Sequence, residues 1–252
     1  MSASLTFKGT MALRAILFDI DDTLYSTTEF ARRARRNAVR GMISAGLKLD
    51  EVEVCRELDE VIREFSSNFS HHYDKLLMRF PAEAHAGVNP ALIVAAGVVA
   101  YHDTKFRELE PFSDVKPLLT ALRGAGLATG IVTHGWTAKQ AEKLIRLGLV
   151  PLFDPQAIFI SDQVGIAKPN PKLYAAALRG LGLPAEEVMY VGDSLTNDVV
   201  PPMSLGMVTA WCRRAAKPQA NVANIEPTHV VDDFRELAEV LRHDYDVQLA
   251  EF

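Results

Sequence analysis

Apolar positions along the chain follow two rules in turn: short unbroken runs at the beginning and through the second half, and a helical period in between. Ala15 to Phe18 is the first run, and it breaks abruptly into Asp19-Ile20-Asp21-Asp22-Thr23-Leu24. A run this short, ended by polar residues, reads as a buried strand. Thr28 to Ala45 then carries Arg32, Arg33, Arg35, Arg36 and Arg40 on one face and apolar residues on the other, with Gly46 as the stop, which predicts an amphipathic helix. Within Leu49 to Phe65 the residues Val52, Cys55, Leu58, Val61, Ile62 and Phe65 repeat at helical spacing. Tyr73 to Phe80 and Pro90 to Phe106 read as further helices. Residues 26 to 109 hold no strand pattern, so they form an all-helical block inserted after the first strand.

From there strands and helices alternate. Asp114 to Ala125, Thr137 to Leu147, Leu173 to Leu181 and Phe234 to Arg242 read as helices, with another near Asp198. Ala128 to Val132, Ala157 to Ile160, Val188 to Val191, Val208 to Trp211 and His229 to Val231 read as strands. Such alternation predicts an α/β fold, a parallel Rossmann-like sheet with helices on both faces. The expected organisation is a core of residues 12–25 and 110–252 with a helical domain at 26–109.

Composition narrows the class. The chain has 252 residues, 48% hydrophobic, with a formal net charge of −5, enough for a large core plus a smaller insert. Mild acidity without a long basic run argues against a nucleic-acid surface. Cys55 and Cys212 lie far apart without metal-like spacing, which fits a reducing cytoplasm and excludes a disulfide framework. The most apolar stretch, Ala91 to Tyr101, is too short to span a bilayer. Met11 is an alternative start.

Chemistry gathers at the strand ends. Asp19 and Asp21 end the first strand, Thr133-His134-Gly135 another, and Gly192-Asp193-Ser194 a third, followed by Asp198; Lys168 falls just past a strand. In a parallel sheet all carboxyl ends lie on one edge, so these clusters can converge. Asp21, Asp22 or Thr23 could instead cap a helix. Convergence of three or four carboxylates requires a cation, and ligands that are all oxygen favour Mg²⁺. A lysine and a hydroxyl beside it suit a dianion such as a phosphoryl group.

The order Asp19-x-Asp21-x-Thr23, Thr133, Lys168-Pro169 and Gly192-Asp193-Ser194-x-x-Asn197-Asp198 resembles the haloacid dehalogenase (HAD) superfamily, in its phosphatase branch with a helical cap of subfamily I. The resemblance implies that Asp19 is the nucleophile and Asp21 the general acid, then base. It implies Mg²⁺ held by Asp19, the Asp21 backbone carbonyl and Asp193, with Asp198 in support. Thr133 would bind a phosphoryl oxygen, together with His134 and Gly135, and Lys168 would neutralise the nucleophile and the transferring group. The helical block would be the cap that closes over the site and selects substrate. A carboxylate at Asp21 favours a phosphatase over a dehalogenase, since an alkoxide leaving group needs a proton and a halide does not.

Tyr101-His102-Asp103-Thr104-Lys105-Phe106, Lys139 to Lys143 and Arg146-Leu147-Gly148 resemble capped relatives that include archaeal enzymes acting on glyceraldehyde 3-phosphate; a similar branch includes pyrimidine 5′-nucleotidases. The expected substrate is therefore a small phosphorylated metabolite. A phosphomutase of the same fold and a non-catalytic ligand-binding relative are the alternatives. In the cap, His102 and Lys105 are candidate substrate contacts, while His71 and His72 read as a solvated surface. The arginine face at Arg32 to Arg40 is a solvated side or an attractor of anionic substrate. Trp136 would wall the pocket or pack in the core, and Trp211 would pack near the sheet. Pro201-Pro202 should start or kink a helix.

Overall fold

The computed structural model describes residues 12–251 apart from 67, 68, 221 and 223; the alternative start at Met11 lies outside them. Two compact units emerge: Thr27–Leu109, and the chain on either side of it, before Thr27 and from Glu110 on.

The second unit is built on one six-stranded sheet. Its strands are β1 (Ala15–Phe18), β2 (Ala128–Thr133), β3 (Ile158–Ile160), β4 (Val188–Gly192), β5 (Val208–Cys212) and β6 (His229–Val231). All pair in parallel, in the order β3-β2-β1-β4-β5-β6. The central strands are buried throughout, as a sheet covered on both faces requires, so they read as runs rather than alternations. Successive residues still face opposite ways. Ala15 and Leu17 join Leu173, Tyr174 and Ala177 in one cluster, while the Phe18 ring meets Phe234 at 5.5 Å. β1 lies between β2 and β4, where the chain reverses its direction of travel across the sheet, the place where open α/β sheets bind ligands.

In chain order the helices are α1 (Thr27–Ser44), α2 (Glu51–Phe65), α3 (His72–Leu77), α4 (Pro90–Glu108), α5 (Val115–Gly124), α6 (Thr137–Arg146), α7 (Ser161–Val164), α8 (Pro171–Leu181), α9 (Val200–Met203) and α10 (Phe234–Tyr245). Their starts follow local chemistry. The Asp50, Asn170 and Asp233 side chains cap α2, α8 and α10, and Pro90 and Pro171 open α4 and α8. Pro201 and Pro202 fall in the first turn of α9, as their fixed geometry favours.

The Thr27–Leu109 unit contains no strand among its described residues. Met42, Val54, Leu58, Val61, Leu76 and Ile93 form its core. Gly41 on α1 lets α4 approach so closely that a Cβ there would meet the Ala96 carbonyl at 2.8 Å. The arginine face meets three acids of its own unit, in keeping with its reading as a solvated side. Arg36 and Arg40 both pair with Glu51, Arg33 with Glu108, and Arg35 approaches Asp59. Among the described residues, no helix is long and apolar enough to cross a membrane.

Candidate active site at the carboxyl edge of the sheet

Asp19 follows the last residue of β1, and its N–H donates to the Val191 carbonyl of β4 at 2.9 Å. That bond carries the parallel ladder one residue past the strand and points the Asp19 side chain into the crevice beside β4. A pocket of about 310 Å³ opens there, lined by Asp19, Asp21, Asp22, His134, Lys168 and Asp193 among others.

Lys168 is the floor. Its ammonium is only 4% exposed and lies 2.7 Å from Asp19 Oδ1 and 2.7 Å from Asp198 Oδ1. It also donates to Tyr190 Oη at 2.8 Å. Tyr190 in turn gives its proton to the Val132 carbonyl of β2, so all three ammonium hydrogens have fixed acceptors. Burial alone would lower the lysine's pKa, but the Asp19 and Asp198 charges outweigh it and raise it, which keeps the ammonium charged.

Asp198 reaches this lysine by an unusual route. After β4 the chain makes a π-helical turn, Leu195–Val199, a form frequent at functional sites. The turn folds the Asp198 carboxylate back onto the Ser194 N–H at 3.0 Å. Gly192 makes room, because a Cβ there would lie 2.4 Å from the Asp198 side chain.

Asp19, Asp193 and Asp198 present carboxylate oxygens that all lie within 4.8 Å of one another. Burial, followed by the other two charges, pushes the Asp193 carboxyl up to about 8. Burial pushes Asp19 up to about 6 even against the pull of Lys168. The Asp193 carboxylate makes no hydrogen bond or ion pair among the described residues, so one ammonium serves three acids. Oxygen donors in this number and spacing fit a hard divalent cation.

Asp21 is held differently. Lys143 Nζ lies 2.7 and 2.6 Å from its two oxygens, Tyr25 Oη donates at 2.7 Å, and Gln140 Nε2 at 3.3 Å. Burial alone would raise its pKa, but the Lys143 charge and these hydrogen bonds bring it below the ordinary value. Helix capping by this stretch is excluded: α1 starts only at Thr27. Asp22, at φ 56°, turns the chain and pairs with Lys217 at 2.6 Å.

The strand-end residues meet as the sequence suggested, with corrections in detail. Thr133 is buried at the end of β2 and accepts from Gln140 Nε2 at 2.7 Å. His134 lines the pocket. Neither Thr133 nor Gly135 is among the lining residues, and the Gly135 N–H is bound to Ser161 Oγ at 3.0 Å. The Asp21 side chain is turned to Lys143, outside the acidic cluster, which leaves its backbone carbonyl as the atom expected to meet a metal. His102 and Lys105 lie on α4 in the helical unit, His102 exposed and Lys105 half-buried. Trp136 neither lines the pocket nor packs in the core; it is 59% exposed, with Lys139 Nζ 4.3 Å over its ring. Trp211, in β5, donates to the Asp193 carbonyl at 2.8 Å.

Sequence reasoning gave no role to Gln140, Lys143, Tyr25 or Tyr190. One signal existed for Gln140: it stands four residues before Leu144, on the apolar face of an amphipathic helix, where a polar side chain needs a buried partner.

A buried carboxylate beside a buried ammonium and a cluster of acids compatible with a cation, at the crossover point of a doubly wound sheet, fits a hydrolase whose chemistry runs through carboxylates. Comparison with known proteins gives the family. A model described as haloacid dehalogenase-like hydrolase matches residues 13–200, and the chain belongs to that family. A glyceraldehyde 3-phosphate phosphatase from Methanopyrus kandleri is 47% identical over 234 residues, 91% of this chain and 97% of its own. The pyrimidine 5′-nucleotidase YjjG of Escherichia coli is 36% identical over 132 residues, 52% of this chain and 56% of its own. Among solved structures, a HAD family hydrolase from Deinococcus radiodurans with bound phosphate and sodium superposes with a TM-score of 0.63 at 20% identity, covering 95% of this chain and all of that one. That likeness is one of fold.

Proposed function

We propose that the chain is a Mg²⁺-dependent phosphatase in which Asp19 is the nucleophile and glyceraldehyde 3-phosphate, or a close phosphorylated small metabolite, is the substrate. The observation that carries the chemistry is the Lys168 ammonium 2.7 Å from Asp19 at the floor of an acid-lined pocket. The substrate comes from the Methanopyrus relative, whose likeness runs through nearly the whole of both chains. In this reading the sheet unit is the catalytic core and the helical unit the cap.

Asp19 attacks phosphorus while the bond to the substrate oxygen breaks, and Asp21, which must first bind a proton against the pull of Lys143, gives that proton to the oxygen. The Asp21 carboxylate then takes a proton from water, which attacks the aspartyl phosphate and releases phosphate and free Asp19. Lys168 offsets charge on Asp19 and on the transferring group. Asp19, Asp193 and the Asp21 carbonyl would hold Mg²⁺, with Asp198 in support; the cation supplies charge neutralisation at the phosphoryl oxygens.

Phosphate release from triose phosphates, sugar phosphates and nucleoside monophosphates, with Mg²⁺ and with EDTA, tests this. Metal-dependent release, greatest for glyceraldehyde 3-phosphate and absent in Asp19→Asn, is the expected result. A preference for pyrimidine nucleoside monophosphates would reassign the substrate. An isomerised sugar phosphate without free phosphate would make the protein a mutase.

A further inference from the structure

The Asp21 carboxylate is gripped by one residue of α6 and approached by a second. Lys143 and Gln140 stand three apart on α6 and so share a face. Lys143 bonds both carboxylate oxygens, a charge-assisted contact that fixes the plane of the group. Gln140 is 1% exposed, an uncommon setting for an amide. Its Nε2 donates to Thr133 Oγ1 and to the His134 carbonyl, each at 2.7 Å, as well as facing Asp21.

The backbone is shaped around that amide. Gly135 sits at φ 140°, and a Cβ there would meet Gln140 Cγ and Cδ at 3.2 Å. Gly135, which does not line the pocket, thus leaves the space that Gln140 fills.

The donor count has a chemical consequence. A threonine hydroxyl has one proton to give. Thr133 Oγ1 receives its hydrogen bond from an NH₂ group that cannot accept one back. Its own proton is therefore directed away from the amide.

We propose that Lys143 and Gln140 are positioning residues: Lys143 holds the Asp21 carboxylate in one orientation for proton transfer, and Gln140 sets Thr133 as a donor towards the phosphoryl group. The inference rests on the reading of Asp21 as the acid and base, and the test separates the two. Glyceraldehyde 3-phosphate loses an alkoxide that must be protonated, whereas p-nitrophenyl phosphate loses a phenolate that leaves without a proton.

First-turnover rates on both substrates are measured with Mg²⁺. Removing the Lys143 charge eases protonation of Asp21, but it frees the carboxylate's orientation, and Lys143→Met is expected on balance to slow the alkyl phosphate about 100-fold and p-nitrophenyl phosphate by no more than about a tenth of that factor. Lys143→Arg, which keeps the cation, should regain most of the alkyl phosphate rate, and it decides the matter by the same ratio if Lys143→Met does not fold. Equal slowing of both substrates would reduce Lys143 to a structural role and overturn the proposal. Gln140→Leu should weaken inhibition by inorganic phosphate about 5- to 10-fold, the worth of one hydrogen bond; unchanged inhibition would break the link to Thr133. Two controls guard the underlying reading. Asp19→Asn should abolish both reactions, and Asp21→Asn should show the same split between substrates. If either control departs from this, the assignment of Asp19 or Asp21 fails, not the role of α6.

Discussion

Charges in the two units are placed in opposite ways. In the helical unit Arg36 and Arg40, each more than half exposed, reach Glu51 across the surface. In the sheet unit Lys168, Asp19 and Asp198 are all nearly buried and crowd onto one edge. Exposed pairs sit in water that screens them, so each is worth at most about 1 kcal/mol. Buried charges lose hydration that mutual attraction repays only when every partner is present. The same residue types thus serve solubility and modest stability in one unit, while in the other they create a reactive site that the fold must hold against electrostatic cost.

The largest effect should come from Lys168→Met. It leaves Asp19 and Asp198 facing each other with no ammonium between them, and breaking a buried pair by removing one partner costs about 3–5 kcal/mol. Urea unfolding should show that loss, and phosphate release should fall by at least about 10³-fold. Mg²⁺ should restore part of the stability and none of the rate. A variant as stable as the parent in EDTA would show that the buried charges are not interdependent.

Asp193→Asn tests the acid cluster from the other side. The folded state holds this carboxyl at about 8, above its ordinary 3.8. A group raised in this way favours the protonated fold, so in EDTA the parent should lose stability as pH rises from about 4 to 8. The amide cannot ionise, and its melting temperature should vary less across that range. Mg²⁺ at 100 times its dissociation constant should stabilise the parent by about 2.7 kcal/mol and the variant by clearly less. An identical pH slope in both proteins would remove Asp193 from the cluster.

Both the sheet and its acid-lined carboxyl edge were legible in the sequence because they are written in contiguous residues. A buried strand is a run, and the polar residue that ends it, such as Asp19 or Asp193, marks the carboxyl edge. Side chains that reach the site from elsewhere leave weaker traces. Tyr190 passes for one more apolar residue of β4, although its hydroxyl orders Lys168. Lys143 looks like any solvent-facing lysine on α6, because its partner lies 122 residues away. The partners of the arginine face are hidden for the same reason: its basic charge is local in sequence, while the acids that pair with it are not. Gly135 could be read as a turn, but not as the space for a glutamine five residues on.

The helical unit should respond to packing where the sheet unit responds to charge. Gly41→Ala places a methyl 2.8 Å from the Ala96 carbonyl and 2.9 Å from Ala100 Cβ. Backbone on α4 cannot rotate away as a side chain can, so α1 and α4 must separate, at about 1–3 kcal/mol. Hydrogen exchange should quicken along α1 and α4, while Mg²⁺ affinity, set by Asp19, Asp193 and Asp198, should hold. Slower or unchanged exchange would mean that the two helices have slack at this crossing.

Glu51→Gln should have the smallest effect, and it is the sharpest check on the contrast. It removes the shared partner of Arg36 and Arg40, leaving two guanidinium groups that water can solvate. Glu51 also opens the first turn of α2, where a negative charge is favoured by the helix dipole. Losing both contributions should lower stability only slightly at low salt, shrinking as salt is added because exposed charges are screened. Lys168→Met should keep most of its destabilisation in the same salt series, since its partners lie beneath the surface. If the two variants respond to salt alike, burial is not what separates the charges of the sheet unit from those of the helical one.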